Sequence, residues 1–149
     1  MQDRINADLK QAMLAGDKQK TELLRNLNSA FLYESVALGI KDKGITDEDV
    51  QRVLMRESKK RAEAIDIYQK AGETDRVAAE NQEKAIIDSY LPDQLSETDL
   101  KAIIDKHVAA LSAAGVGDMG KVIGAVRAEV GATANGALIA KLVREALGS

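Results

Sequence analysis

The sequence has no cysteine. That excludes disulfides, thiolate metal sites and any cysteine nucleophile. It has one histidine, His107, so no multi-histidine metal site can form. Aromatic residues make up only 3% of the chain: Phe31, Tyr33, Tyr68 and Tyr90. This argues against nucleic-acid binding by base stacking on an aromatic platform. The one proline is Pro92. No apolar run approaches the ~18 residues needed to span a membrane. The first ten residues carry Asp3, Arg4, Asp8 and Lys10 with no apolar run behind them, so no signal peptide is expected and the cytoplasm is the expected location. What remains is 149 residues with 45% hydrophobic and 30% charged side chains, the composition of one globular domain or two small ones. The net charge of −3 is not that of a globally basic nucleic-acid binder, although a local basic stripe is compatible with it.

Ala, Leu, Lys, Glu, Asp and Arg dominate, and no segment alternates apolar and polar residues as a half-buried strand does. The expected fold is all-α. Ile5, Leu9, Ala12 and Met13 share a helical face, with Gly16 ending that helix and Asp17 capping the next. Leu23, Leu24, Leu27, Phe31 and Leu38 form the second stripe. Thr46-Asp47-Glu48-Asp49 and Ser96-Glu97-Thr98-Asp99 each place a capping hydroxyl three residues before a carboxylate, with Ile45/Val50 and Leu95/Leu100 as hydrophobic staples. The helix from Thr46 runs to about Lys70, and a fourth covers roughly residues 73–90.

Leu91-Pro92-Asp93-Gln94 must leave the helix, because proline removes a donor and pushes the preceding residue out of the α region. The expected domains are therefore 1–90, a helical bundle of about four helices, and 91–149, a small three-helix domain joined to it at a Leu-Pro corner. The three later stripes are Leu100, Ile103, Ile104, Val108, Leu111; then Met119, Val122, Ile123, Val126, Val130; then Leu138, Ile139, Leu142, Val143, Leu147.

Residues 115–122 read Gly-Val-Gly-Asp-Met-Gly-Lys-Val and match the opening of a phosphate-binding loop. Val122 stands where a magnesium-holding Ser or Thr is needed, and an amphipathic helix precedes the loop where a strand is needed, so a nucleotide site is rejected. Gly115 is expected to end one helix and Asp118 to cap the next. Arg52, Arg56, Lys59 and Lys60 fall on one helical face and could neutralise a few phosphates of an RNA backbone. Arg61 falls on the apolar side, four residues after Glu57, and is expected to be a partly buried, paired arginine. His107 lies on an apolar stripe as a core-edge residue. No catalytic, cofactor-binding or metal-binding residues are assigned, and no cofactor is expected.

Glu57, Lys60 and Arg61 at mid-helix, Tyr90-Leu91-Pro92-Asp93-Gln94-Leu95-Ser96, Asp118-Met119-Gly120-Lys121-Val122-Ile123-Gly124 and Asn135-Gly136 together resemble the GatB/YqeY family, and within it the YqeY-like proteins. The resemblance implies an all-α protein in two parts. Its C-terminal part is similar to the tail domain of the B subunit of the glutamine-dependent aspartyl/glutamyl-tRNA amidotransferase, which helps hold tRNA. It implies contacts through Lys121 and the turn at Asn135-Gly136, where Thr133, Ala134 and Ala137 replace the charged residues common in relatives. It also carries the label of a carbon–nitrogen ligase with glutamine as amide donor, yet neither an ammonia-releasing nucleophile nor an ATP site is visible. The implied function is a tRNA-associated accessory protein without its own catalytic centre. The alternatives are a protein–protein adaptor with no RNA affinity and a non-catalytic component of an amidotransferase complex. Candidate nucleic-acid-binding residues are Arg52, Arg56, Lys59, Lys60 and Lys121. Candidate partners are tRNA and a tRNA-modifying or amidotransferase complex, with no membrane. Residues 91–149 hold 6 basic and 7 acidic side chains, a net of −1, so tight RNA binding by that part alone is not expected.

Overall fold

The computed structural model describes residues 1–148. Among them are seven α-helices and no strand: α1 (Gln2–Ala15), α2 (Lys18–Ala37), α3 (Asp47–Lys70), α4 (Thr74–Asp88), α5 (Glu97–Ala110), α6 (Met119–Val130) and α7 (Gly136–Ala146). Short 3-10 turns at Val116–Asp118 and Gly131–Thr133 precede α6 and follow it. The chain divides into two compact units, Met1–Leu91 and Pro92–Ser149. Among the described residues no helix is long and apolar enough to cross a membrane.

Local chemistry sets the helix ends. Gly16 takes the left-handed conformation at φ 71°, which costs glycine least, and ends α1. Asp17, Thr46 and Ser96 each accept a backbone N–H of the first turn of α2, α3 and α5, as their positions before those helices suggest. Asn135 does the same for α7, taking the N–H groups of Ala137 and Leu138. Asp118 departs from expectation. It stands before α6 but makes no cap; its carboxylate turns back and accepts the Ala114 N–H at 3.2 Å, because the 3-10 turn already carries the chain into the helix.

The first unit packs Ile5 of α1, Leu23, Leu24, Leu27 and Phe31 of α2, Val50, Val53 and Leu54 of α3, and Ile87 of α4 into one core, closed by Tyr90. Phe31 is fully buried, and truncating such a ring to Ala costs about 3–5 kcal/mol. Pairing within α3 and α4 is uneven. Every buried residue of α3 lies in its first half, and the one buried residue of α4 is Ile87, near its end. Residues 62–83 therefore form a two-helix arm without a buried side chain, while residues 47–61 are clamped onto the core. The second unit buries Leu100 and Ile104 of α5, Val122, Val126 and Val130 of α6, and Ile139, Leu142 and Val143 of α7.

Three members of the apolar stripes are not core. Met13, Leu38 and Leu111 are 52%, 45% and 45% exposed. Each lies in the last turn of its helix or just past it, where the helical period continues but no neighbouring helix remains to cover it.

Candidate nucleic-acid interface

Arg52, Arg56, Lys59 and Lys60 lie on the outward side of the clamped half of α3, so their backbone is held by Val50, Val53 and Leu54 beneath. Successive steps of four residues carry a cation about 6 Å along the axis. Three of the four are paired. Arg52 Nη1 lies 2.9 Å from Asp49, Arg56 Nη2 2.6 Å from Glu34 of α2, and Lys60 Nζ 2.9 Å from Glu57. Among the described residues Lys59 has no ion-pair or hydrogen-bond partner.

The burial of these pairs is lopsided. The cations are 56%, 54% and 69% exposed; the carboxylates are 14%, 14% and 18% exposed. Each acid sits beneath its cation, so an approaching anion meets guanidinium and ammonium groups first. Exposed pairs of this kind add little to stability. What they do is reduce the freedom of long side chains whose charge points outward.

The acids stay ionised. A hydrogen bond from the Thr46 hydroxyl, with help from Arg52, holds the Asp49 carboxyl below its ordinary range. Burial pushes Glu57 up, but hydrogen bonds from Lys60 and Arg61 and their charges outweigh it, and the net direction is down.

Arg61 is 13% exposed and bridges Glu57, at 2.9 Å, to Glu83 of α4, at 3.2 Å. The expected pair with Glu57 is present. Glu57 thus serves Lys60 with one oxygen and Arg61 with the other. Beside it, the Ser58 hydroxyl donates to Asp88 at 2.6 Å, and Lys84 holds the other Asp88 oxygen at 2.7 Å. These contacts fix the register of α3 against α4 and leave no buried side-chain polar atom unsatisfied among the described residues.

The family model described as Yqey-like protein matches residues 2–147. The chain belongs to the YqeY-like family. No curated protein matches it.

In this YqeY-like chain Lys121 lies in the second unit, exposed in the first turn of α6 and without a partner among the described residues. Residues 115–122 hold a 3-10 turn and the start of α6, with no strand before them. Arg127 is six positions after Lys121, about a third of a turn round the helix, and so on another side. Its guanidinium lies over the start of α7: a Cβ on Gly136 would sit 2.5 Å from Nη2. Glu129 holds both Lys106, at 3.0 Å, and His107, at 3.3 Å, tying α6 to α5. The hydrogen bond from Lys106 is the main reason its carboxyl sits below the ordinary range. The sequence singles out Lys121 and His107; it offers no signal for Glu34, Glu83 or Arg127, whose partners are 9 to 22 positions away. Among the described residues no group of three or more His, Asp or Glu is arranged to hold a metal ion.

Proposed function

We propose that this YqeY-like protein is a tRNA-associated accessory factor that binds tRNA, or a tRNA-modifying complex, without a catalytic centre of its own. One observation carries the reading. Arg52, Arg56 and Lys60 stand outermost over carboxylates that orient them, with unpaired Lys59 among them, on a rigid helix face. Such a face suits the phosphates of an RNA backbone, and contacts of this type position a nucleic acid without reading its sequence.

Lys121 is the second contact. The proposal includes the finer organisation: a bundle of about four helices, a Leu-Pro corner, and a three-helix part related to the amidotransferase tail domain. It also includes a cytoplasmic setting, where tRNA is. Arg56→Glu, Lys59→Glu and Lys121→Glu test it directly. Each is expected to weaken tRNA binding; unchanged binding in all three would overturn it.

A second reading is a protein–protein adaptor without RNA affinity, or a non-catalytic component of an amidotransferase complex. It draws on the net charge of −3 and on the partners that Arg52, Arg56 and Lys60 already hold. A protein partner recovered equally before and after ribonuclease treatment supports it, and loss of that partner after treatment counts against it.

A further inference from the structure

The last turns of α2 are apolar on two sides. Leu27 and Phe31 point into the core. Leu32, Tyr33 and Val36, at spacings of one and three, stand on the outward side and are 55%, 79% and 56% exposed. The three tyrosines differ. Tyr90 is buried, with Arg4 4.9 Å over its ring and its hydroxyl bonded to Asp8; Tyr68 has Arg76 5.4 Å over its ring. Among the described residues Tyr33 has no hydrogen bond and no ring partner.

Tyr33 directly precedes Glu34, whose carboxylate is 2.6 Å from Arg56. An unengaged aromatic ring thus stands one helical position from the pair that anchors the cation stripe. Within two turns of Tyr33 on α2 the one charged side chain is Glu34, which is already bound to Arg56. The turn after α2 adds Lys41 and Lys43 against Asp42.

The geometry points to Tyr33 as the stacking ring for an unpaired base of an RNA strand whose phosphates lie along Arg56 and its neighbours. This assignment rests on the RNA-binding reading and adds a substrate class to it: a single-stranded segment. In a duplex the base faces are covered by their neighbours, whereas an unstacked base can lie on an aromatic ring. The scarcity of aromatics excludes a multi-ring platform, and one ring takes one base. Leu32 and Val36 beside it give the base and its sugar an apolar floor.

The experiment uses the full chain with two probes, a fluorescein-labelled twelve-nucleotide oligoadenylate and a blunt RNA duplex of the same length. Anisotropy reads binding. Tyrosine emission reads stacking, because the chain has no tryptophan and three tyrosines. The single strand is expected to bind more tightly than the duplex and to quench tyrosine emission. Tyr33→Ala is expected to weaken its binding about five- to 150-fold, the range for loss of one base–aromatic stack. Tyr33→Phe is expected to keep the affinity and lose the quench. Tyr33 is exposed, so neither variant threatens the fold. Binding of the strand with unchanged tyrosine emission, or with unchanged affinity in Tyr33→Ala, overturns the stacking assignment and leaves this face of α2 to a protein partner, while the RNA reading stands. Binding of neither probe overturns the stacking assignment, and failure of labelled tRNA to bind as well overturns the RNA reading.

Discussion

Arg61 of α3 donates from Nε to Glu83 of α4 at 3.2 Å, across a polar seam between the two helices. The same guanidinium reaches Glu57 at 2.9 Å, and Glu57 in turn holds Lys60. A largely buried arginine therefore orders an exposed lysine through a shared carboxylate.

Arg61→Ala leaves two poorly solvated carboxylates facing each other. Breaking one side of a fully buried pair costs about 3–5 kcal/mol, and the partial exposure of Glu83 reduces this to about 2–3 kcal/mol. Urea denaturation measures it. Arg61→Met, which keeps the apolar stem, is expected to cost less than the alanine; an equal loss would show that the ion pairs alone set the effect and that packing of the stem adds nothing.

Acid weakens the fold through Glu57 and Glu129. Both have native pKa values below the ordinary 4.5, so in that window the unfolded chain binds more protons and stability rises with pH. Their contribution is complete above 4.5 and is lost as pH falls through the lowered native values. The urea midpoint is expected to drop below that point, and to drop less in a Glu57→Gln variant. An identical acid limb in wild type and variant would contradict the pairing of Glu57.

Ser112 ends α5 in the left-handed region at φ 50°, where a Cβ is costly. Ser112→Gly is expected to stabilise the second unit by about 0.5–1 kcal/mol, and Ser112→Val to destabilise it by at least as much. Thermal melting checks both signs.

Gly136→Ala brings a Cβ to 2.5 Å from Nη2 of Arg127. That atom is the free end of a flexible, exposed side chain and can swing aside, while alanine is favoured over glycine in a helix by up to about 1 kcal/mol. The variant is expected to be as stable as wild type or slightly more so. A loss of more than about 1 kcal/mol would mean that Arg127 is fixed over the start of α7.

Most features set within one helical turn were legible in the sequence, Asp118, which makes no cap, being an exception. Thr46 and Ser96 cap their helices, Gly16 ends α1, and Arg61 meets Glu57, because each needs only the residues three or four positions away. What needed the third dimension was not. The pairing of Arg56 with Glu34 spans 22 positions and decides that the stripe is a set of oriented pairs and not a row of bare cations. The period of 3.6 residues marks an apolar side but cannot say where its neighbours stop, so Met13, Leu38 and Leu111 read as core and are exposed. The outward set of Leu32, Tyr33 and Val36 was hidden because α2 is apolar on both sides there.

Fluorescence anisotropy of labelled bulk tRNA against the full chain, across salt from about 50 to 200 mM, decides whether the cations of α3 meet RNA phosphates. Micromolar or tighter binding is expected at low salt, with a log–log slope of magnitude about 3–4 for phosphates met by Arg52, Arg56, Lys59 and Lys60, falling by about 1 in Lys59→Glu. Lys59 has no partner to lose, so the fold is not at stake in that variant. No binding at the lowest salt, or binding with the same slope in wild type and Lys59→Glu, would contradict those phosphate contacts.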